Sequence, residues 1–490
     1  MGGQSRIKMG VTTQPLSPGA QMEDCHMLAA NATPSALDLL VARMRQLEAG
    51  DVVDDFAVFE DEFHKLVAAV ERDGVGLALE ALDVDARAIR VGDELLRRSV
   101  RCEGVYESRA GEVRVMRSLY RRKPEDASVS PMELRAGIVQ GRWTPGAASL
   151  AVWAVAHVTP TEAAEWFRRA GGMAPSRASL DRLPKALHAD WEEQRTRFEE
   201  CVRAVEEVPE AATVVAVSLD GVMLAMKDGD RQGKREASRT AGKETRGPAG
   251  YREAACGTLA FYDAAGERLQ TIVLGRMPEA TKRTLKQTLE DELQHVLDQR
   301  PNLTVVGVAD GAHDNWAWLA DTLPAGSSQV VDFFHAAAHL EVALQSAHGK
   351  ASPQTKALFK TFRKKLLDDP NGVDKVIRAL AYRHRKHPRR KAIARELSYF
   401  RRYRERMCYA EMRAKNLPVG SGVVEAANKT LVTVRMKRAG ARWRNPGGQA
   451  VLTFRALAKS DRFDRAWGLL AAIYRLPVAE FSADVQPVAA

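Results

Sequence analysis

The sequence predicts a mixed α/β fold, and the observations that indicate it lie in the middle of the chain. An apolar, β-branched run over residues 213–220 has the composition of a buried strand. A second run of this kind covers residues 303–310. Between them lies an amphipathic helix with an apolar stripe formed by Leu285, Leu289, Leu293, Val296 and Leu297. Strands that alternate with helices are typical of a sheet with helices packed on its faces.

Further predicted strands flank these two runs. Residues 254–263 and 267–275 form two strands joined by an Ala-Gly turn, and a short strand over residues 327–334 closes the series. The order is three strands, helix, strand, helix, strand. It predicts one mixed sheet over residues 211–335 rather than a repeat protein.

Three segments precede this sheet. Residues 1–33 are rich in Gly, Pro, Ser and Thr, which predicts a flexible arm. Residues 34–100 have a helical period, which predicts a helical element for packing or dimerisation. Residues 101–210 predict a mainly helical DNA-binding region that opens with a two-stranded ribbon over residues 101–122, turning near Ala110.

Residues 159–187 have the outline of a helix-turn-helix. One helix ends at a Gly-Gly pair, and a second opens at Pro175 and Ser176. In such a unit the start of the second helix enters the major groove, so Ser176, Arg177 and Ser179 would lie nearest the bases. Two helices around a Gly-Gly turn also occur as ordinary packing, and the sequence leaves both interpretations open.

Helical segments follow the predicted sheet. Residues 336–416 predict a helical insertion, after which the stretch PVGSG breaks the chain. Residues 417–475 predict helices that complete the core, and residues 476–490 predict a tail. Residues 227–252 are polar and basic, and we expect them to form a loop that is mobile in the absence of DNA.

Three carboxylates are candidates for metal-dependent chemistry. Asp220 and Asp310 each end an apolar strand and are each followed by Gly, so both should emerge at the same kind of sheet edge. Glu425 lies on a predicted helix that a Gly-Ser-Gly stretch precedes. Such carboxylates can hold two Mg²⁺ ions for an in-line phosphoryl displacement. Taken singly, a strand-end Asp-Gly pair is also ordinary turn chemistry, and Glu425 is also an ordinary surface residue.

The chain resembles a known protein family over about residues 100–475. The stretches VSLDGVMLAMKDGD, VGVADGAHDNWAWLAD, VVDFFHAAAHL, LPVGSGVVEAANKTL and RMKRAGARWRNPGGQAVLTFRAL resemble, in order, the ISKra family of bacterial insertion-sequence transposases. That family is similar to the mutator-like DDE superfamily. The resemblance implies an RNase H-like core, flanked by helices, with a helical insertion before the final acidic helix.

The resemblance also implies site residues. It assigns the three catalytic, metal-binding acids to Asp220, Asp310 and Glu425, with two Mg²⁺ or Mn²⁺ ions per site. Asp332 and His335 match a signature of Asp or Cys, two residues, then His, which implies an accessory role in the catalytic core. A structural, buried His335 is the alternative. Many relatives carry a paired-cysteine knuckle near the ribbon that LYRRKPED lacks here, so zinc binding is not expected.

Two basic segments are candidates for DNA contact. Residues 383–416 contain 13 Lys and Arg against 3 Asp and Glu, with aromatic side chains interleaved. This mixture predicts contact with phosphates and stacking on bases, although a solvated helix face is the more common reason for a charge run. The first segment contributes Arg401, Arg402, Arg404 and Arg406, beside Tyr399, Phe400, Tyr403 and Tyr409. The second follows the Glu425 helix and contributes Lys429, Arg435, Lys437, Arg438, Arg442 and Arg444.

Composition limits the classes of protein that fit. The formal net charge is +10, which favours a polyanionic partner. The five cysteines stand far apart without a CxxC pair, which argues against a disulfide framework and a zinc knuckle. A P-loop motif is missing, and so is an apolar run long enough to span a bilayer. We therefore expect a cytoplasmic, nucleoid-associated protein without a membrane partner.

The predicted function is that of a DNA transposase. It would cleave insertion-sequence ends and join the freed 3′-OH to target DNA, acting as a homodimer on the terminal inverted repeats and the target. Two alternatives remain open at this point. One is an RNase H-like DNA endonuclease or resolvase, which needs only the hydrolytic step. The other is a catalytically silent DNA-binding protein that retains the fold.

Overall fold

The computed structural model describes residues 34–227, 231–242, 250–350 and 352–481. The predicted flexible arm over residues 1–33 lies outside the described residues. The chain is of the mixed α/β class, and its described residues form two sheets. None of the described helices combines the length and the apolar character needed to cross a membrane.

The amino-terminal part begins with helices and continues with strands. Its elements are α1 (Ala36–Glu48), α2 (Phe56–Ala81), β1 (Ala88–Val91), β2 (Glu94–Ser108) and β3 (Gly111–Arg121). The ribbon of β2 and β3 was predicted, with its turn near Ala110. The expectation of helix up to residue 100 was wrong, because Gly92 adopts a left-handed φ of 56° and forms, with Asp93, a two-residue hairpin between β1 and β2.

The first sheet has four antiparallel strands in the order β3-β2-β1-β9. Its last strand, β9 (Val478–Phe481), comes from the segment that was predicted as a tail. The prediction of a tail over residues 476–490 is therefore wrong for these four residues, since β9 pairs with β1 from Ala88↔Phe481 to Val91↔Val478. The rest of that segment, residues 482–490, lies outside the described residues.

A helical region joins the two sheets. It consists of α3 (Pro131–Ala136), α4 (Pro145–His157), α5 (Pro160–Ala170), α6 (Arg177–Glu193) and α7 (Arg195–Ala204). The predicted helix, Gly-Gly turn, helix unit is formed by α5 and α6. Helix α5 ends at Gly171, which has a φ of 78°, and Ser176 caps α6 by accepting a hydrogen bond from the Ser179 backbone N–H.

The second sheet has five strands in the order β6-β5-β4-β7-β8. These strands are β4 (Val214–Ala225), β5 (Tyr251–Tyr262), β6 (Arg268–Arg276), β7 (Thr304–Ala309) and β8 (Ser328–Val331). The pairs β4-β5 and β5-β6 are antiparallel, whereas β4-β7 and β7-β8 are parallel. The predicted mixed sheet over residues 211–335 is confirmed, and its strand and helix order matches except for one helix, residues 231–240, between β4 and β5.

Helices interrupt and cover this sheet. They are α8 (Arg231–Thr240), α9 (Arg283–Gln299) and α10 (His313–Thr322), with a 3-10 turn (Ala280–Lys282) before α9. Helix α8 lies in the segment expected to be a mobile loop, and residues 228–230 and 243–249 of that segment lie outside the described residues. The predicted stripe of α9 packs on the strands, since Leu285, Leu289, Leu293 and Val296 are all buried.

The predicted helical insertion follows β8. It contains α11 (Phe333–His348), α12 (Pro353–Asp368), α13 (Gly372–Lys386), α14 (Lys391–Arg402), a 3-10 turn (Arg404–Arg406) and α15 (Tyr409–Ala414). Its aromatic residues were expected to stack on bases, and that expectation was wrong. Phe400, Tyr403 and Tyr409 are buried in the core cluster, and Tyr399 packs against it. An apolar face in a basic segment is needed to hold the insertion on the sheet.

The last helices cover the other side of the strands. They are α16 (Gly422–Ala427), a π-helical turn (Asn428–Thr433), α17 (Val434–Met436), α18 (Asn445–Lys459) and α19 (Phe463–Ala472). Val424, Leu431 and Leu452 from these helices are buried against Leu224 and Cys256 of the sheet. The helix that carries Glu425 is thereby packed on β4 and β5.

Candidate active site

Three aspartates share one row across three adjacent parallel strands. Asp310 and Asp332 directly follow β7 and β8, whereas Asp220 lies within β4. The prediction that Asp220 ends its strand was wrong, because pairing with β5 continues β4 to Ala225. The register pairs Ser218 of β4 with Val308 of β7, and continuing it by two residues aligns Asp220 with Asp310. It pairs Ala309 with Val331 of β8, so that Asp332 comes next in the row. Residues in register on parallel strands project to the same face of a sheet.

Asp220 is half-buried on β4. Its Oδ1 accepts a hydrogen bond from the Gly221 N–H at 2.7 Å, and its Oδ2 accepts one from Asn428 Nδ2 at 2.6 Å. Burial raises the pKa of Asp220, and the Asp310 carboxylate raises it further; the bonds from Gly221 and Asn428 and the charge of Lys282 oppose this. The two carboxylates are therefore close enough to repel each other.

Asp310 is half-buried directly after β7. Its Oδ1 accepts hydrogen bonds from the Ala312 N–H at 3.0 Å and from Asn315 Nδ2 at 3.5 Å. The insertion packs on the next residue, Gly311, where an added Cβ would lie 2.7 Å from the Tyr399 ring. Glycine is needed after Asp310 because the insertion comes this close to the backbone.

Asp332 is fully buried and joins three segments. Its carboxylate accepts a hydrogen bond from the backbone N–H of His335, and Asp332 thereby caps α11. It also accepts one from the backbone N–H of Ser421 in the loop before α16. Its own N–H donates to the Ala309 carbonyl at 2.9 Å, at the end of β7. Asp332 therefore fixes the loop that leads to Glu425 relative to the strand that leads to Asp310.

The His335 side chain is half-buried, not fully enclosed. Its ring lies 4.8 Å from the His339 ring and 6.3 Å from the Tyr399 ring, between centroids. Burial raises the pKa of Tyr399 strongly, with Asp310 as the next cause. This aromatic group thus borders the Asp310 side of the site.

Glu425 is exposed on α16. Its Oε1 accepts a hydrogen bond from Ser421 Oγ at 3.1 Å. It precedes Asn428 by three residues, a spacing that puts Cβ atoms about 5–6 Å apart on a helix. Helix α16 thus reaches Asp220 through Asn428, while the Glu425 carboxylate is turned to Ser421. Among the described residues, no three His, Cys, Asp or Glu side chains are grouped closely enough to hold a metal ion.

The groups around Asp220 and Asp310 nonetheless fit a hard divalent cation. Mg²⁺ and Mn²⁺ prefer carboxylate and amide oxygens. Besides the two carboxylates, the buried Oδ1 atoms of Asn315 and Asn428 have no hydrogen-bond partner within the described part of the chain. Asp220 and Asp310 are the two predicted ligands that the fold brings together.

Sequence reasoning missed three neighbours of these aspartates. Asn315 and Asn428 could have been found from helical spacing, since Asn428 is one turn beyond Glu425. Lys282 could not, because it approaches Asp220 from the loop before α9 through a left-handed backbone with a φ of 55°. Lys282 also forms an ion pair with Glu253 at 3.1 Å.

A basic cleft of about 840 Å³ lies between the α5-α6 unit and the segment after α17. Its basic lining residues are Arg177, Lys185, Lys227, Arg435, Arg438, Arg442 and Arg444. The cleft adjoins the Asp220 strand, because the Trp443 N–H donates to the Ala225 carbonyl at 3.0 Å and the Lys227 N–H donates to the Trp443 carbonyl at 2.6 Å. Two predicted DNA-binding segments, distant in sequence, thus face one cavity.

The predicted basic residues of this region differ in availability. Arg177, Arg442 and Arg444 are exposed, as are Lys429 and Lys437. Arg438 is exposed but pairs with Glu162 of α5. Ser179 bonds to the capping Ser176, with Oγ atoms 3.0 Å apart.

Arg435 was expected to contact DNA, and its position argues against that. Its side chain is buried, with Nε donating to the Val155 carbonyl at 3.2 Å and the guanidinium 5.4 Å from the Trp443 ring centre. Burial lowers the pKa of Arg435 to about 10. Arg435 thus joins helix α4 to the segment that lines the cleft.

The insertion arginines are also unequal. Arg401 and Arg402 are exposed at the end of α14. Arg404 is engaged by Asp374 through two bonds of 2.6 and 2.9 Å. Arg406 lies 4.7 Å from the Trp316 ring centre and donates to Gln329 at 2.9 Å. Arg404 thus joins two helical segments of the insertion, and Arg406 joins the insertion to β8 and α10, which the sequence did not indicate.

Comparison with known proteins adds no relative: the chain matches no family model, and no curated protein matches its sequence.

Proposed function

We propose that this protein is a DNA transposase that cuts insertion-sequence ends and joins them to target DNA by phosphoryl transfer with two divalent metal ions. The observation that carries the proposal is the alignment of Asp220 with Asp310 on adjacent parallel strands. Burial raises the pKa of Asp220, and repulsion from the Asp310 carboxylate raises it further, so the pair brings negative charge together. A cation is the partner that such a pair favours.

Asp220 and Asp310 would hold the ions, with Glu425 joining from α16. Bound Mg²⁺ or Mn²⁺ would supply stabilisation of the attacking and leaving oxygens of an in-line displacement. Asp332 keeps the Ser421 loop at a fixed distance from β7, so it positions the helix of Glu425. A rotation of the Glu425 side chain away from Ser421 would bring a third carboxylate toward the pair.

The topology supports the proposed RNase H-like core. The five strands run β6-β5-β4-β7-β8, with three antiparallel strands first and two parallel strands added beside β4. The acidic helix follows a long helical insertion and packs on β4 and β5. A helical insertion that precedes the acidic helix is what the family resemblance implies.

The proposed reaction has two steps. In the first, water attacks the phosphodiester at the element end; the bond from phosphorus to the 3′ oxygen breaks, and the oxygen takes up a proton as a free 3′-OH. In the second, that 3′-OH attacks a phosphodiester of the target, and the target's own 3′ oxygen leaves. The proposed partners are terminal inverted repeats, target DNA and a second copy of this chain.

The test of catalysis is the Asp220→Asn variant on a duplex that carries the element end. We expect cleavage and joining to be lost while binding of the duplex is kept, because the change removes a metal ligand and no phosphate contact. Asp263→Asn is the matched control, since Asp263 caps the β5-β6 turn of the same sheet through the Ala265 and Glu267 N–H groups. Cleavage at the native rate by Asp220→Asn would refute the proposal.

The basic cleft is the proposed site for the element end. Replacing Arg177, Arg442 and Arg444 together by Gln should weaken binding and reduce the slope of log affinity against log salt by about 0.9 for each phosphate that is no longer neutralised. Arg177→Gln alone should reduce the preference for the element end over random duplex.

Arg401 and Arg402 provide the comparison for the cleft. Their double replacement by Gln should weaken binding to the element end and to random duplex equally, because phosphate contacts carry no sequence information. A salt titration on both duplexes measures this. An unchanged salt slope after replacement of the three cleft arginines would remove the cleft from the proposal.

A further inference from the structure

We propose that Asn428 and Asn315 are part of the cation site, each supplying an amide oxygen beside one of the two aspartates. The inference rests on the proposed function, since it concerns the metal ions of the same reaction. It adds two neutral ligands to a site that the sequence describes by carboxylates alone.

Asn428 directly follows α16 and is the residue of this helical segment that contacts Asp220. Its side chain is 4 % exposed, and its Nδ2 donates to Asp220 Oδ2 at 2.6 Å. Its Oδ1 is buried and lacks a hydrogen-bond partner among the residues described. One end of the amide therefore orients a carboxylate, and the other end is a buried oxygen available to a cation.

The backbone at Asn428 is also unusual. A π-helical turn begins at this residue and separates two α-helical segments, α16 and α17. Such turns are rare and occur often at functional sites, because the extra residue shifts the side chains on the helix. Helical geometry thus departs from the α-helical norm at the residue that meets Asp220.

Asn315 repeats the arrangement beside Asp310. Its side chain is 1 % exposed in the first turn of α10, and Nδ2 lies 3.5 Å from Asp310 Oδ1. Its Oδ1 is again buried and without a partner in the described ranges. Each aspartate of the pair therefore has one buried amide next to it, with the amide nitrogen toward the carboxylate.

The cost of these oxygens favours a functional interpretation. A buried carbonyl oxygen without a hydrogen-bond donor destabilises the folded state. Gln449 on α18 shows the ordinary solution, since its amide accepts from the Met277 N–H at 2.8 Å and donates to the Gly275 carbonyl at 3.1 Å. A cation shared with the aspartates would satisfy the oxygens that the protein leaves unpaired.

Charge gives a second reason for amides at this site. The aligned carboxylates of Asp220 and Asp310 already repel each other. A further carboxylate at the same distance would add to that repulsion, whereas an amide adds an oxygen ligand without charge. Two acids and two amides can therefore surround a divalent ion with less repulsion before the ion binds.

The test uses Mn²⁺ alone, without DNA, with free Mn²⁺ measured by its electron paramagnetic resonance signal. Asn428→Leu and Asn315→Leu should each weaken Mn²⁺ binding by about 10- to 100-fold. The Tm of the metal-free Asn428→Leu protein should change little, because loss of the hydrogen bond to Asp220 opposes the gain from removing an unsatisfied oxygen. Asn428→Asp should retain Mn²⁺ binding, since it keeps an oxygen ligand.

Gln449→Leu is the matched control for the loss of a buried amide. It should lower Tm and leave the Mn²⁺ affinity unchanged. Native Mn²⁺ affinity in Asn428→Leu, with or without a lower Tm, would overturn the proposal. The transposase proposal can fail on its own. If Asn428→Leu loses Mn²⁺ affinity but Asp220→Asn still cleaves DNA, the cation site is retained and the proposed reaction is rejected.

Discussion

Asp332 and the Asp220–Asp310 pair occupy equivalent positions on three neighbouring parallel strands, yet their surroundings are opposite. Asp332 is fully buried, and backbone N–H groups of His335 and Ser421 occupy its two oxygens. Asp220 and Asp310 are half-buried, and burial together with Asp310 raises the pKa of Asp220. The Asp332 carboxylate is enclosed by the protein. Asp220 also accepts a hydrogen bond on each oxygen, but it and Asp310 remain partly exposed to a ligand.

The residue that follows each aspartate accounts for much of this difference. Phe333 begins helix α11 directly, so Asp332 becomes the cap of that helix and its oxygens bind helix and loop N–H groups. Gly221 and Gly311 follow the other two and allow the backbone and its neighbours to come close without covering the carboxylates. The position of an aspartate in this row therefore does not by itself make it a metal ligand.

The comparison predicts the largest stability loss at Asp332. Asp332→Ala removes a helix cap and leaves the buried Ser421 N–H without an acceptor, which together should lower the free energy of unfolding by about 2–5 kcal/mol. Denaturant unfolding measures this. Asp332→Asn keeps an acceptor oxygen and should lower the free energy of unfolding by less. Native stability with no Mn²⁺ binding in Asp332→Ala would instead make Asp332 a metal ligand.

A smaller change of opposite sign is predicted at Asp220. Because the pKa of Asp220 is raised in the folded protein, the folded state binds more protons than the unfolded state above the ordinary pKa of 3.8, and stability falls as the pH rises through this window. Asp220→Asn should therefore raise the Tm of the metal-free protein at pH 7, and the gain should shrink toward pH 4. Thermal scans across this range test the sign. A lower Tm of Asp220→Asn at pH 7 would mean that Asp220, like Asp332, stabilises the fold.

The smallest effect is expected at Ser421. Ser421→Ala removes the hydroxyl that holds Glu425 but keeps the backbone N–H that donates to Asp332. The loss of one bond to an exposed carboxylate should change the free energy of unfolding by less than about 1 kcal/mol. Denaturant unfolding beside Asp332→Ala gives the comparison. A loss as large as that of Asp332→Ala would mean that the hydroxyl, and not the Asp332 carboxylate, fixes the loop.

Short-range sequence patterns predicted those elements of the fold that depend on nearby residues. The β-branched runs that end at Asp220 and Asp310, the stripe of α9 and the Gly-Gly turn between α5 and α6 all have short-range signals, and the structure has these elements. The β1 strand was missed because its four residues follow a long helix and owe their pairing to β2 and β9. Tertiary pairing of this kind leaves little trace in a short window.

The site was predicted less completely than the fold. Spacing along a strand identified Asp220 and Asp310, but it could not indicate that Asn428 meets Asp220 or that Arg435 is buried. The basic segment with interleaved Tyr399 and Tyr403 shows the same limit, since the alternation of charge and aromatic residues also describes an amphipathic helix. Which of its faces is covered depends on the sheet, and the sheet comes from other parts of the chain.

The pairing of β9 with β1 has a consequence for how the protein is made. Strand β1 is synthesised early, and its partner β9 leaves the ribosome only after the whole five-stranded sheet. Throughout that interval the side of β1 that will pair with β9 is an unpaired strand edge, which is a template for pairing with other chains. We expect slow translation to extend this exposure, so that the nascent chain depends on chaperones until β9 has paired with β1.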